Sequence, residues 1–120
     1  MSGFVDFKLA QSGAPVTISK TAILYVEENT REANITNLHC VGSITHVVSE
    51  TYSEARKKLP KFVETKRSDN GTPKVALHDW NISYIERSSS GAAIVYFTEQ
   101  GVSVPVVESY ENFIKMFHAI

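Results

Sequence analysis

Short segments in which apolar and polar side chains alternate make up most of this chain and predict a protein built mainly of β-strands. Successive side chains of a strand point to opposite faces, so alternation marks a strand with one buried face. Gly, Pro, Asn, Asp and Ser residues separate the segments as turns. The predicted strands span residues 4–10, 16–19, 23–26, 33–40 and 43–48 in the first half, and 82–86, 92–99 and 102–107 in the second.

Helical spacing follows the last strand of each half. Thr51-Tyr52-Ser53-Glu54 has the form of a capping box, in which the threonine hydroxyl and the glutamate carboxylate satisfy backbone donors at a helix start. We expect a short helix that ends near Pro60, because proline cannot continue a helix. Ser109 is the corresponding cap near the C-terminus. The helix that follows it carries an apolar face at Tyr110, Phe113, Ile114 and Phe117.

An internal repeat relates the two halves. When the chain is compared with itself at one fixed offset, similar residues coincide without a gap. Chance similarity among strand-forming residues is the alternative, but it does not explain why glycines and apolar positions stay in phase. We therefore predict two tandem units, residues 1–60 and 61–120, packed together as one. The coinciding pairs include Ile23 with Ile82, Tyr25 with Tyr84, Gly42 with Gly101 and Val47 with Val106.

Strands followed by a closing helix in each unit are typical of a strongly bent sheet or a partly closed barrel of the SH3-like or Sm-like kind. The predicted fold class is α+β and mostly β. It consists of two tandem copies of a five-stranded bent sheet or small barrel, each closed by a short C-terminal helix. Pro105 lies inside the last predicted strand, where a proline is tolerated only at an edge or a bulge.

The composition excludes few classes of function. The net charge of -1 gives no overall attraction to nucleic acid or acidic membranes, so any such binding would have to be local. The single cysteine, Cys40, cannot form an intramolecular disulfide. The sequence shows no charged-then-apolar leader and no apolar run of about 20 residues, the length that crosses a bilayer. We expect a cytoplasmic protein without a membrane segment.

Residues capable of catalysis or metal binding are present, but their spacing does not match a known site. His39 and Cys40 are adjacent on a predicted strand, so their side chains should point to opposite faces. They would then share neither a metal nor a nucleophile and base pair. Glu27 and Glu86 occupy equivalent positions of the repeat, where a solvated strand end is a commoner role than general acid catalysis. We predict no catalytic residue, no metal and no cofactor.

Positive charge is concentrated in one short stretch. Half of the chain's 12 Lys and Arg residues lie between positions 56 and 67. Such a cluster can neutralise phosphates, and nearby aromatic rings can stack on bases. The alternative is a solvated helix end, where the helix dipole also favours cations. The candidate nucleic-acid-binding residues are Arg56, Lys57, Lys58, Lys61, Lys66, Arg67, Tyr25 and Tyr84, with Trp80 and Tyr96 as further aromatic residues.

The order of these segments resembles the FlbD family of short bacterial proteins encoded among flagellar genes. The family has one such unit where this chain has two, and the resemblance brings no catalytic residue with it. The pattern is similar, more loosely, to strand-rich LytTR DNA-binding domains and to Sm-like modules. The residues that match FlbD are Gly13, 23–28, 35–42 and 47–50 in the first unit, and Gly71, 82–86, 94–101 and 106–109 in the second.

Two functional hypotheses follow. The first is a non-enzymatic binding or assembly module that acts through protein–protein contacts, with self-association into an oligomer through open strand edges. The alternative is an Sm-like protein that binds RNA or single-stranded DNA through the basic cluster. A small enzyme is the least supported hypothesis.

Overall fold

The computed structural model describes residues 3–118, and a strand lies at each of the segments predicted above. The first half contains β1 (Phe4–Lys8), β2 (Pro15–Ser19), β3 (Ile23–Glu28), β4 (Thr36–Cys40) and β5 (Ile44–Val48). The second half contains β6 (Val63–Lys66), β7 (Lys74–Leu77), β8 (Ile82–Arg87), β9 (Ala92–Phe97) and β10 (Ser103–Ser109). The helices are α1 (Tyr52–Lys57) and α2 (Tyr110–His118), and short 3-10 turns span Lys20–Ala22 and Asp79–Asn81.

These strands form three antiparallel sheets. The central sheet has five strands in the order β5-β4-β3-β7-β6, the outer sheet has three in the order β10-β9-β8, and β1 and β2 form a hairpin. In the central sheet β3 pairs with β4 on one side and with β7 on the other. On the β7 side, Tyr25 lies opposite Leu77. The central sheet therefore combines strands from both halves of the chain.

The prediction of two tandem five-stranded sheets or barrels is wrong. The order of elements is the same in the two halves, but their strands do not close into separate sheets. Strands of the second half complete the sheet of the first, and no sheet closes on itself among the described residues. Alternation along the sequence predicts which face of a strand is buried, but it does not identify the neighbouring strand.

The first core lies between one face of the central sheet and a layer made of the β1–β2 hairpin and α1. Alternate residues of the central strands supply one side of this core, including Val26, Leu38 and Ala76. Phe7 of the hairpin and Ala55 of α1 supply the other side. All five side chains are buried. Burial of apolar surface is the main source of stability in such a layer.

The second core lies on the opposite face of the central sheet, beneath the outer sheet and α2. Tyr25 and Val75 of the central sheet meet Val95, Val104 and other inward residues of the outer sheet. Phe113 of α2 is fully buried in the same cluster. Strands β3 and β7 thus contribute side chains to both cores, which makes the central sheet the middle of three layers.

The outer sheet is joined to the central sheet by backbone as well as side-chain contacts. The Ser68 backbone N–H donates to the Pro105 carbonyl at 3.0 Å, and Arg67 forms an isolated bridge with Val106. Pro105 lies in the edge strand β10, next to an irregularity in its register. The prediction that this proline marks an edge or a bulge is confirmed.

Both predicted helix starts are confirmed. Thr51 Oγ1 accepts the Glu54 backbone N–H at 3.1 Å, and Glu54 Oε1 accepts the Thr51 backbone N–H at 3.0 Å. Ser109 Oγ accepts the Asn112 backbone N–H at 3.2 Å. Helix α1 ends at Lys57, before the predicted limit near Pro60. Within residues 3–118, no helix is both long and apolar enough to cross a bilayer.

Candidate nucleic-acid interface

Arg67 belongs to the predicted basic cluster, but its side chain lies inside the protein. It is only 8% exposed. Its Nη1 lies 3.2 Å from the Tyr25 hydroxyl and 3.3 Å from Glu27 Oε2, and its Nε lies 2.7 Å from Asp69 Oδ1. Tyr25 is itself buried and stacks on Phe97 of the outer sheet. Arg67 and Tyr25 therefore connect the layers and are not accessible to a nucleic acid.

Two further basic residues of the predicted cluster use their charge within the protein. Arg56 Nη1 lies 2.8 Å from Glu64 Oε1. Lys58 Nζ lies 2.5 Å from Glu50 Oε2, and 4.6 Å from the centre of the Phe7 ring. A phosphate would have to compete with these carboxylates for either cation.

Lys66 is exposed. The pairing of strands in the central sheet places it beside Lys74, which was not among the candidate residues predicted from the sequence. Lys66 lies directly opposite Lys74 on the neighbouring strand β7, and both side chains are exposed. Like charges directly opposite each other in an antiparallel pair are destabilising unless an anion is shared between them. The Lys74 backbone N–H donates to Glu28 Oε1 at 3.0 Å. Within residues 3–118, the Lys74 ammonium group forms no ion pair.

Helix α1 lies over the same face of the central sheet, where Ala55 packs with Ala76 in the first core. Arg56, the residue before Lys57, contacts Glu64, which lies two residues before Lys66 on β6. Two residues along a strand correspond to about 7 Å on one face. Lys57 is exposed at the end of α1. We refer to Lys57, Lys66 and Lys74 as the lysine patch.

The turn between β6 and β7 adjoins the lysine patch and has an uncommon backbone. Asn70, Gly71 and Thr72 all have positive φ, at 52°, 84° and 56°. Positive φ is rare for a β-branched residue such as Thr72, because its side chain crowds the backbone there. The turn thus holds a local strain at the end of the hairpin that carries Lys66 and Lys74.

The exposed Tyr84 lies on the other side of the molecule. Tyr84 stacks on Tyr96 with 4.5 Å between ring centres, on the face of the outer sheet that points away from the second core. Glu86 accepts a hydrogen bond from the Tyr96 hydroxyl at 3.2 Å and adds negative charge to that face. Two sheet layers separate this face from the lysine patch.

Lys61 also lies away from the patch. It is exposed in the loop between α1 and β6, next to a cleft that Phe62 and His78 also line. Trp80 stacks on His78 with 3.6 Å between ring centres. This end of the molecule therefore combines a lysine with aromatic rings, at the opposite end of β6 from Lys66.

The predicted separation of His39 and Cys40 is confirmed. Cys40 points into the first core, where burial raises the pKa of its thiol to about 11, so the thiol stays protonated at neutral pH. His39 points to the other face, where its Nε2 lies 2.7 Å from Glu27 Oε1 and its ring stacks on Tyr25. Glu27 is thus held by His39 and Arg67. In the part of the chain that the structure describes, no group of three or more potential ligands surrounds a metal position.

The backbone geometry was compared with solved structures. No protein-family model matches this sequence, and no curated protein matches it. One solved structure, a LytTr DNA-binding domain from Bacillus cereus, superimposes with a TM-score of 0.68 at 16% sequence identity. The match covers 100% of both chains.

This chain has the LytTr fold. The sequence similarity to LytTR domains is therefore confirmed as a similarity of fold, whereas the resemblance to FlbD finds no support in the family comparison. Because the complete chain matches one LytTr domain, the repeat does not divide it into two copies of that domain.

Sequence reasoning identified Lys57 and Lys66 but missed Lys74. The signal was present in the sequence Asp69-Asn70-Gly71, which is typical of a tight turn, because a hairpin around such a turn brings residues on its two sides together. Pairing the two strands symmetrically about that turn places Lys66 opposite Lys74. The burial of Arg67 had no comparable signal, because its partner Glu27 lies on a strand distant in sequence.

Proposed function

We propose that this chain is a DNA-binding domain that contacts the phosphate backbone of duplex DNA through the lysine patch. The observation that carries the proposal is the superposition of the whole chain on a LytTr DNA-binding domain. The same match overturns the first hypothesis, a module that acts through protein–protein contacts, and favours nucleic-acid binding instead.

The lysine patch has the charge that this function requires. Lys66 and Lys74 stand side by side on one sheet face, and Lys57 extends the positive surface onto α1. Lysine ammonium groups neutralise phosphates and release bound counterions, which makes the affinity strongly dependent on salt. Because the net charge of the chain is only -1, such a local patch is not opposed by a large negative charge.

Duplex DNA is favoured over a single strand by the position of the aromatic residues. Proteins that bind single strands combine a positive groove with aromatic rings on which bases stack. Here the exposed Tyr84 and the half-buried Tyr96 lie two layers away from the lysine patch, and Glu86 accompanies them. The phosphates of a duplex can be contacted without unstacked bases, so the patch suits a duplex better.

The test measures DNA binding by fluorescence anisotropy of a labelled duplex between about 50 and 200 mM salt. We expect the Lys66→Ala/Lys74→Ala double variant to bind more weakly. The plot of log affinity against log salt has a negative slope, and its magnitude should decrease by about 2 because two phosphate contacts are lost. The same oligonucleotide as a single strand should bind no more tightly than the duplex.

The matched control is Lys20→Ala/Lys115→Ala. It removes the same charge from residues outside the patch, since Lys20 precedes the other end of β3 and Lys115 lies on α2. This control should leave the slope unchanged. Equal losses in the two double variants, or the absence of salt-dependent binding by the unmodified protein, would refute the proposal.

A further inference from the structure

A cleft of about 670 Å³ opens between the loop that precedes β6 and helix α2. Its size falls within the range of pockets that hold small molecules, about 300–1,000 Å³. Pro60, Phe62, Val63 and Met116 give it apolar walls. Lys61 and His78 are the nitrogen-bearing side chains that line it.

His78 presents one edge of its ring to this cleft. The ring is 8% exposed and lies between Trp80, at 3.6 Å, and Phe62, at 5.4 Å between ring centres. Its Nδ1 accepts the Trp80 backbone N–H at 3.3 Å, which places the proton of the neutral ring on Nε2. No residue in the described range accepts that Nε2–H. Nε2 is not among the buried side-chain atoms without a partner, so this N–H is accessible from the cleft to a ligand atom that accepts it.

The charges around the cleft favour an anion beside Lys61. Lys61 lines the same cleft as His78. Burial lowers the pKa of His78, while the charge of Asp79 raises it and the charge of Lys61 lowers it. Of the two carboxylates that line the cleft, Glu64 is paired with Arg56 at 2.8 Å. Asp79 Oδ1 lies 3.0 Å from His78 Nδ1, on the edge that faces away from Nε2. That contact is not aligned as a hydrogen bond, whereas the contact with the Trp80 N–H is, so we assign Nδ1 to the Trp80 N–H.

We propose that this cleft binds a small aromatic carboxylate, with its carboxylate between Lys61 Nζ and His78 Nε2 and its ring against Phe62 and Met116. A planar ring fits the aromatic and thioether wall, and a carboxylate accepts from both donors. This site is separate from the lysine patch, and the proposal does not depend on DNA binding.

Trp80 reports on the site, because it is the only tryptophan and stacks directly on His78. We expect titration with benzoate to change Trp80 fluorescence and to saturate with a Kd of about 1 mM or lower. Acetate carries the charge without the ring, and benzamide carries the ring without the charge. Each should bind at least about tenfold more weakly than benzoate.

The variants separate a direct contact from a structural effect. Lys61→Ala should weaken benzoate binding about tenfold, whereas Lys57→Ala, outside the cleft, should leave it unchanged. His78→Phe keeps an aromatic ring in the stack and should lose binding, and His78→Gln restores an N–H donor and should recover part of it. Circular dichroism checks that each variant is folded. Unsaturated fluorescence changes, equal binding of acetate and benzoate, or equal losses in Lys57→Ala and Lys61→Ala would overturn the proposal.

Discussion

Arg67 shows how far the role of one residue depends on partners that are distant in the sequence. Its neighbours Lys66 and Ser68 are exposed, yet Arg67 points between the layers. There it binds Glu27 and the Tyr25 hydroxyl from β3, and Asp69 from its own turn. Arg67 is therefore a structural residue in a stretch that otherwise looks like a binding surface.

We expect Arg67→Met to lower the free energy of unfolding by about 3–5 kcal/mol, because it leaves the buried Glu27 carboxylate without its cation. Urea denaturation monitored by circular dichroism measures the change. Lys66→Met, on the exposed face of the same strand, should change stability by less than about 0.5 kcal/mol. Adding Glu27→Gln to Arg67→Met should recover part of the loss. A loss below 1 kcal/mol would contradict the role given to Arg67.

At this scale, the sequence predicted side-chain direction better than side-chain partners. The opposite directions of His39 and Cys40 follow from strand geometry alone. The contact of His39 with Glu27 joins β4 to β3, and the contact of Lys58 with Glu50 spans the length of α1. Such contacts depend on how the chain folds back, which the local pattern does not contain.

Among the elements, the β6–β7 hairpin carries both the exposed lysines and the strained turn. Thr72 has a φ of 56° and donates its hydroxyl hydrogen to the Gly71 carbonyl at 2.7 Å. The strained conformation is confined to the end of the hairpin, so it can be relieved without disturbing the pairing of Lys66 with Lys74.

We expect Thr72→Gly to raise the free energy of unfolding by about 0.5–1 kcal/mol, because glycine adopts positive φ without a steric cost. Thr98→Gly is the control. Thr98 is exposed but is not among the described residues with positive φ, so its replacement should lower stability. Thermal denaturation of the two variants measures these opposite changes in stability. If Thr72→Gly is less stable than the unmodified protein, the threonine side chain stabilises the fold by more than its positive φ destabilises it.

The elements themselves were largely predictable. The strands around Ile23 and Ala92, the capping box at Thr51 and the cap at Ser109 all follow local chemistry. The limit of α1 was less predictable. Its C-cap is Lys58, because Pro60 also disfavours helical backbone at Leu59, and Leu59 and Phe62 then enter the first core.

For the whole molecule, the shared central sheet makes the two halves depend on each other. Strand β7 supplies Ala76 to the first core and Val75 to the second. Glu99 of the outer sheet's last turn accepts the Ser43 backbone N–H at 2.8 Å, at the far edge of the central sheet. The division into residues 1–60 and 61–120 stays a prediction about sequence similarity, and it does not describe separate sheets.

We therefore expect one cooperative unfolding transition. Val104→Ala, in the second core, should lower the free energy of unfolding by about 2 kcal/mol. It should also shift the urea midpoints of Trp80 fluorescence and of circular dichroism by the same amount, although Trp80 packs on Phe62 at the first core. Midpoints that separate in this variant would show that the cores unfold independently.

The sequence pattern did not predict the arrangement of the sheets, because that arrangement depends on the pairing of β3 with β7, which are far apart in the chain. Strand order in an antiparallel fold is fixed by contacts over the whole chain, whereas alternation is a local property. The cytoplasmic location likewise stays a prediction.

The position of β3 also has a consequence for synthesis of the protein. A ribosome releases β4 and β5 soon after β3, but the other edge of β3 stays open until the segment ending at Leu77 has emerged. During that interval the nascent chain exposes the backbone of Ile23–Glu28, one of its most apolar segments, to other polypeptides. The time needed to translate the segment from β5 to β7 thus determines how long this edge of β3 stays unpaired.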